Sequence, residues 1–112
     1  MKTNLLVTST FEKEFKRLAK KYKSLVNDII ILQEEILSGK NIGTDLGCGF
    51  RKIRLQISSK NKGKSGGARV ITFTVITTMD EMNVNLLCIY DKSEKSSISK
   101  QELNRLKEKN GL

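Results

Sequence analysis

The residues best suited to chemistry in this sequence are seven cations within one stretch, Phe50 to Phe73. They are Arg51, Lys52, Arg54, Lys60, Lys62, Lys64 and Arg69. No aspartate or glutamate lies between Asp45 and Asp80, and the whole chain carries a formal net charge of +9, so most of the excess positive charge is local. Clustered lysine and arginine side chains attract phosphate chains. The stretch therefore predicts a phosphate-binding surface.

The absence of histidine restricts the chemistry available to this chain. Histidine is the commonest general acid or base and a common zinc ligand, so catalysis here must use lysine, arginine, carboxylates, hydroxyls or tyrosine. The two cysteines, Cys48 and Cys88, have no metal-ligand neighbours at useful spacing, and we interpret them as reduced thiols. We therefore expect no metal and no cofactor.

No part of the sequence resembles a membrane span or a secretion signal. No apolar run approaches the ~20 residues needed to cross a bilayer, and no charged-then-apolar signal region follows Met1. We therefore expect a cytoplasmic protein that is not associated with a membrane.

Two strands and a loop must position the cations. Lys52–Ile57 alternates polar and apolar residues, which predicts a strand with one buried face. Arg69–Ile76 is rich in β-branched and aromatic residues, which favours a strand covered on both faces. The polar segment Ser58–Gly67 between them contains glycine, serine and lysine and predicts a flexible hairpin loop. The cations of both strands should then converge at the strand ends, beside a basic loop.

The rest of the chain predicts three helices and two further strands. In order, these are a strand over Asn4–Thr8, a helix opened by a Ser9–Glu12 capping box, a helix from Ser24 to Gly39, a glycine turn over Gly43–Gly49, a strand over Val84–Tyr90 and a helix from Ser99 to about Lys109. Ser99 and Glu102 predict a capping box, and Ile98 with Leu103 a hydrophobic staple. The order β-α-α-β-β-β-α predicts one α+β domain over 1–112, an antiparallel sheet with an N-terminal helix pair and a C-terminal helix, all on one side of the sheet.

At the level of whole segments, the sequence closely resembles the RelE-like toxins of bacterial toxin–antitoxin pairs, especially their HigB-type branch. The matching segments are GCGFRKIRLQ, KGKSGGARVITF and LLCIYDKSEKSSIS, and the resemblance runs from Thr8 to the final helix. It implies a compact microbial ribonuclease fold and an endoribonuclease that cleaves messenger RNA in the ribosomal A site and so inhibits translation. The partners that it implies are the ribosome, messenger RNA and a cognate antitoxin, which we expect to be a helix-turn-helix protein encoded by an adjacent gene.

The resemblance also implies site residues. The family's basic pair on the second strand falls on Lys52 and Arg54, its strand-three arginine on Arg69, and the lysine after the last strand on Lys92. In RelE itself an arginine follows that lysine and a tyrosine stands a few residues later. Here a serine follows, and no tyrosine occurs after Tyr90. HigB-type members also lack that tyrosine, so the departure fits their branch.

Cleavage of RNA by its own 2′-hydroxyl needs a proton acceptor, stabilisation of charge on phosphorus, and a proton donor. A lysine among other cations gives up its proton more easily than an isolated one, and Lys52 is our candidate for the base. Arg69 suits the phosphate oxygens, and Arg54 would share that role or hold the neighbouring phosphate. Lys92 or Lys95 would face the leaving group. The residues predicted to contact RNA or the ribosome are Arg51, Lys60, Lys62, Lys64 and Tyr90, the last being the nearest ring available for stacking on a base.

Two other classes of function remain open. A ParE-like toxin would share the scaffold but inhibit DNA gyrase through protein contacts without cutting RNA; the set Lys52, Arg54 and Arg69, together with the GKSGG loop, argues against it. A basic RNA-binding module without catalysis would need only the positive charge.

Overall fold

The computed structural model describes residues 2–60, 63 and 66–112. Its elements are β1 Lys2–Val7, α1 Ser9–Lys21, α2 Leu25–Leu37, β2 Thr44–Gly47, β3 Phe50–Leu55, a 3₁₀ turn Ser58–Lys60, β4 Ala68–Thr78, β5 Glu81–Asp91 and α3 Lys100–Lys109. None of the helices in these described ranges has the length and apolar character that crossing a membrane requires.

The five strands of the described chain form one sheet in the order β1-β5-β4-β3-β2. The pairs β2–β3, β3–β4 and β4–β5 are antiparallel, whereas β1 runs parallel to β5. The predicted α+β class is therefore confirmed, and β1 turns the expected antiparallel sheet into a mixed one. The long connection between β1 and β5, which includes the helix pair, allows the parallel pairing.

Thr44–Gly47 forms a short strand where the sequence predicted only a glycine turn from Gly43 to Gly49. This strand, β2, pairs antiparallel with the start of β3. The turn itself is reduced to Cys48 and Gly49, whose φ values are 54° and 90°. Two successive residues with positive φ between antiparallel strands are typical of a type I′ hairpin. The prediction missed β2 because aspartate and glycine are rare in strands.

α1 begins one residue earlier than the predicted capping box requires. Thr8, not Ser9, is the N-cap, because its Oγ1 accepts a hydrogen bond from the amide of Phe11 at 3.2 Å. The same hydroxyl donates to the carbonyl of Leu86 at 2.8 Å, 78 residues away. The Ser9–Glu12 box is therefore wrong: both Thr and Ser can cap a helix, and the contact with β5 favours Thr8.

The other two predicted caps differ in their outcome. Ser24 stands at the N-cap of α2, but its side chain makes no capping bond and instead donates to the Asp28 carboxylate at 2.7 Å. Ser99 caps α3 as predicted, since its Oγ accepts from the amide of Glu102 at 3.2 Å. Ile98 and Leu103 contribute to the same apolar cluster, as expected for a hydrophobic staple.

Helices cover both faces of the sheet, which corrects the prediction that they lie on one side. The larger apolar cluster, between the sheet and α1 and α2, includes Leu18, Leu32 and Ile53. The smaller one lies under α3 and is formed by Phe50, Ile71, Phe73, Leu87, Cys88, Tyr90 and Leu103. β4 and β5 contribute to both clusters, which explains why their sequences are apolar at nearly every position. We call the second side the α3 face.

A β-bulge in β5 decides which residues reach the α3 face. Ile71 pairs with Cys88 and the next residue, Thr72, pairs with Leu86, so Leu87 is an additional residue in β5. Such a bulge interrupts the strict alternation of side chains. Leu87 and Cys88 both contribute to the cluster under α3. As a result, Tyr90 lies on the α3 face and the following residue on the opposite face.

The predicted hairpin between β3 and β4 is confirmed by their antiparallel pairing. Its connection begins with an ordered 3₁₀ turn, because the amide and hydroxyl of Ser58 donate to the Asp28 carboxylate at 3.0 and 2.7 Å. At the other end, Gly67 passes so close to β3 that a Cβ there would lie 2.1 Å from the carbonyl oxygen of Leu55. Both ends of the connection are therefore fixed to the rest of the fold.

Candidate active site

Three residues from three neighbouring strands form a row across the sheet. Arg69 on β4 pairs with Arg54 on β3 and with Tyr90 on β5. Paired Cα atoms of antiparallel strands are ~4.5 to 5.5 Å apart. Lys52 lies two residues from Arg54 and therefore on the same face of β3. The structure thus brings together Lys52, Arg54 and Arg69, as the sequence predicted; we call Lys52, Arg54, Arg69 and Tyr90 the basic row.

The basic row lies on the α3 face. Ile71, the cross-strand partner of Lys52, belongs to the apolar cluster under α3, as does Tyr90. The intervening residues of β3, Ile53 and Leu55, point into the core under α1 and α2. The alternation along β3 therefore separates the cations from the larger core and places them on the α3 face.

The cations of the row differ in their exposure. The Arg54 side chain is exposed and Lys52 is half-buried. Arg69 is only 5% exposed, and its Nη1 donates to the carbonyl of Ala68 at 3.1 Å. Arginine remains protonated throughout the physiological pH range. Arg69 therefore supplies a fixed positive charge within the sheet, and Arg54 offers the accessible guanidinium.

Tyr90 does not present an open ring. Its residue is 7% exposed and packs in the cluster under α3. Burial raises the pKa of Tyr90, and the positive charges of Arg69 and Lys95 act in the opposite direction. The hydroxyl is therefore protonated at neutral pH, and the predicted stacking of a base on this ring has no exposed surface on which to occur.

Lys95 and Glu102 form an ion pair at 2.5 Å beside the row, with side chains 40% and 39% exposed. The hydrogen bond from Lys95 is the main cause that lowers the pKa of Glu102. The charge of Lys95 also acts on Tyr90 and Cys88, which places it near the α3 face. Sequence reasoning gave Glu102 only a capping role and missed it as a site residue. Its position in the first turn of α3, after a lysine-bearing loop, was the available signal.

The Lys92 ammonium is hydrogen-bonded to the backbone of its own loop. Its Nζ donates to the carbonyl of Ser96 at 2.7 Å. The two lysines predicted to face a leaving group are thus held differently, Lys92 by a backbone carbonyl and Lys95 by a carboxylate.

Arg51 does not join the basic row. It alternates with Lys52 and lies on the other face of β3, where its Nη1 is 3.4 Å from the carbonyl of Gly43. Its Nη2 lies 3.9 Å from the Asp45 carboxylate. The expected contact of Arg51 with RNA would therefore occur on the opposite side of the sheet from the row.

Lys60 is also placed differently from the prediction. Its Nζ lies 2.9 Å from Oδ1 of Asp91, and the two side chains are 10% and 0% exposed. A lysine whose charge is neutralised inside the fold is poorly placed to bind a phosphate, so we remove Lys60 from the RNA-binding set. The predicted contacts of Lys62 and Lys64 lie outside the described residues.

A groove of about 430 Å³ lies on the other face of the sheet. Apolar side chains dominate it, including Ile36, Ile53 and Val84, and of the predicted site residues only Arg51 lines it. An apolar groove does not suit a phosphate chain. The α3 face remains the better candidate for phosphate chemistry.

The chain matches the family model described as the RelE toxin of the RelE/RelB toxin–antitoxin system over residues 8–111. Because this match covers nearly the whole chain, the protein belongs to the RelE toxin family. It is therefore the toxin of a toxin–antitoxin pair, and the family implies an antitoxin as its partner. The resemblance inferred from the sequence is confirmed at this level, and the whole basic row lies inside the matched range. A comparison with curated proteins gave no match.

Proposed function

We propose that this chain is a ribosome-dependent endoribonuclease of the HigB-type branch, which acts in the cytoplasm on messenger RNA in the ribosomal A site. The basic row carries the proposal: the exposed Arg54 lies directly opposite the buried Arg69, with Lys52 on the same face. The backbones of these three residues are fixed by the pairing of β3 and β4, and a rigid scaffold favours stabilisation of a transition state.

The reaction is a transesterification within the RNA. The 2′-oxygen forms a bond to phosphorus while the bond from phosphorus to the 5′-oxygen breaks, which leaves a 2′,3′-cyclic phosphate and a free 5′-hydroxyl. The proton of the 2′-hydroxyl goes to a base, and the leaving oxygen takes a proton from an acid. Lys52 is the candidate base, because it lies on the same face of β3 as Arg54 and because a lysine, unlike an arginine, can give up its proton.

The two arginines have different roles. Arg54 is accessible and can offer two parallel N–H donors to the non-bridging phosphate oxygens. Arg69 is enclosed, so its positive charge acts through a medium of lower dielectric than water and is felt more strongly. Together they favour the phosphorane, which carries more negative charge than the starting phosphate.

We assign the role of proton donor to Lys95 rather than to Lys92. Its ammonium is 40% exposed and is held at 2.5 Å by a side chain that can release it when the RNA arrives. The Lys92 ammonium instead holds the backbone of its own loop at Ser96. The lack of any tyrosine after Tyr90 supports the HigB-type assignment.

The test is to induce the chain in bacteria, map messenger RNA ends by primer extension, and measure plasmid supercoiling in the same cells. Arg54→Ala is the test variant. Lys16→Ala is the matched control, because Lys16 is an exposed cation on α1 that pairs only with Glu12 at 2.9 Å among the contacts described. New ends within translated codons for wild type and Lys16→Ala, but not for Arg54→Ala, are expected. Altered supercoiling without new ends would instead indicate a gyrase inhibitor, and neither change would indicate a binding module.

A further inference from the structure

Asp91 is a fully buried carboxylate at the junction of three parts of the chain. Its Oδ2 accepts a hydrogen bond from the hydroxyl of Tyr22 at the end of α1. Its Oδ1 accepts from Nζ of Lys60 at 2.9 Å and from the amide of Ser93 at 2.9 Å. Asp91 follows Tyr90 on β5, so its side chain lies on the opposite face of the sheet from the basic row.

Asp91 also stabilises the turn that contains Lys92 and Lys95, the two candidates for the proton donor. Its backbone carbonyl accepts from the amides of Glu94 and Lys95 at 3.0 and 2.9 Å. The hydroxyl of Ser93 donates to its Oδ1 at 2.8 Å. The side chain and the backbone of Asp91 therefore both stabilise the segment 91–95, which connects the end of β5 to Lys95.

Lys60 joins that turn to the connection between β3 and β4. Its Nζ lies 2.9 Å from Asp91, 3.3 Å from Oγ of Ser93 and 5.2 Å from the ring centre of Tyr22. At the other end of the connection, the amide of Lys92 donates to the carbonyl of Gly67 at 3.0 Å. Both ends of the connection are thus tied to the segment 91–95, and Gly67 stands two residues before Arg69.

We propose that Lys60 and Asp91 are positioning residues for cleavage, a buried clamp that holds the Lys95 turn against the strand carrying Arg69. This inference rests on the proposed nuclease function. It gives Lys60 a role without direct phosphate contact, since movement of its ammonium to RNA would leave the buried carboxylate of Asp91 without its closest cation. Positioning residues of this kind affect the rate of the chemical step more than binding.

The principal variant is Lys60→Met, which removes the ammonium and retains a side chain of similar length. Tyr22 and Ser93 still hold Asp91 in this variant, so the fold should persist. Asp91→Asn is the second variant, and Lys16→Met is the control for loss of one positive charge. Three measurements on the full-length chain are compared: single-turnover cleavage on programmed ribosomes, the salt dependence of ribosome binding, and native-state hydrogen exchange at the amides of Lys92, Glu94 and Lys95.

For Lys60→Met we expect the cleavage rate at saturating concentration to fall at least tenfold, while the half-saturating concentration changes less than threefold. The salt slope of binding should equal that of Lys16→Met, and exchange at the three amides should rise at least tenfold. If the role of Lys60 is merely structural, amide exchange should rise, but the cleavage rate should not fall at a nearly unchanged half-saturating concentration. That result would overturn the inference.

Two further outcomes would also overturn it. A slope smaller by roughly 0.7 to 0.9 with unchanged exchange would make Lys60 a phosphate contact. If Lys60→Met shows the wild-type cleavage rate and wild-type amide exchange, Lys60 does not act as a clamp. If the wild-type chain does not cleave at all, the proposed function fails, and the role of Lys60 and Asp91 in cleavage fails with it. The exchange measurement still tests the clamp itself, because unchanged protection of Lys92, Glu94 and Lys95 in Lys60→Met would overturn that as well.

Discussion

Arg54 and Arg69 face each other directly across the β3–β4 ladder, so one cross-strand pair consists of two positive charges. Like charges at such positions oppose folding, by an amount on the order of 0.2 to 1 kcal/mol. The pair therefore lowers stability, and it suits the anion-binding role that we propose for the basic row.

Arg54→Thr should therefore stabilise the protein while it weakens function. We expect the free energy of unfolding in urea to rise by ~0.5 kcal/mol at low salt, and the gain to shrink at high salt as the charges are screened. Messenger RNA cleavage should fall at least tenfold. Lys2→Thr is the control, because Lys2 is a strand cation that pairs with Glu81 and has no like-charged partner opposite. A loss of stability in Arg54→Thr at low salt would contradict the repulsion.

The base assignment is tested by Lys52→Arg and Lys52→Met. Arginine retains the charge but cannot give up its proton at neutral pH, so both variants should lose about 10²-fold or more in the single-turnover cleavage rate. Ribosome binding by Lys52→Arg should stay within about threefold of wild type. Wild-type cleavage by Lys52→Arg would leave Lys52 as a phosphate contact and remove it as the base.

The free energy of unfolding should depend on pH because of the Asp91 carboxyl group. Burial alone would raise the pKa of this carboxyl, but hydrogen bonds from Tyr22, Lys60 and Ser93 together lower it well below its usual range. A lowered folded-state pKa stabilises the fold above the unfolded-state pKa of ~4 and loses that contribution as the pH falls towards the folded-state value.

Asp91→Asn should thus cost ~3 kcal/mol near pH 7, as expected for breaking a buried pair from one side. The difference in unfolding free energy between wild type and Asp91→Asn should narrow steadily below about pH 4. Thermal or urea unfolding of both proteins between pH 2 and 7 would measure it. A difference independent of pH would show that the carboxylate charge does not contribute.

The two free cysteines should react with thiol reagents at very different rates. Cys48 is exposed in the β2–β3 turn, and Cys88 is buried under α3. Burial raises the pKa of Cys88 to about 12, so almost none of it is thiolate at neutral pH. Ellman's reagent should modify one thiol per native chain rapidly, and the second only after unfolding. Cys48→Ser should abolish the rapid phase; a rapid phase that persists would mean that α3 opens over Cys88.

The sequence was sufficient to place the strands that carry the basic row. Alternation in Lys52–Ile57 and the β-branched run from Arg69 identified two strands, and the polar segment between them identified the hairpin. These signals are local, because each depends on residues within one element. The convergence of Lys52, Arg54 and Arg69 followed from them directly.

Features that depend on distant contacts could not be predicted in the same way. The bulge at Leu87 changes which face every later residue of β5 occupies, and an uninterrupted apolar run does not reveal it. Lys60 looked like a solvent-exposed loop cation, because its partner Asp91 is 31 residues further along the chain. The parallel pairing of β1 with β5 likewise could not be predicted, because it depends on the position of β5 and not on the sequence of β1 alone.

Gly67 shows how a residue without a side chain can be subject to functional selection. The Leu55 carbonyl leaves no room for a Cβ at position 67, so any other residue would force the beginning of β4 away from the end of β3. Leu55 and Ala68 are the pair next to Arg54 and Arg69, and such a shift would widen the gap between the two guanidinium groups. Among related chains that share the proposed chemistry, position 67 should vary as little as the arginines, although it contributes neither charge nor proton.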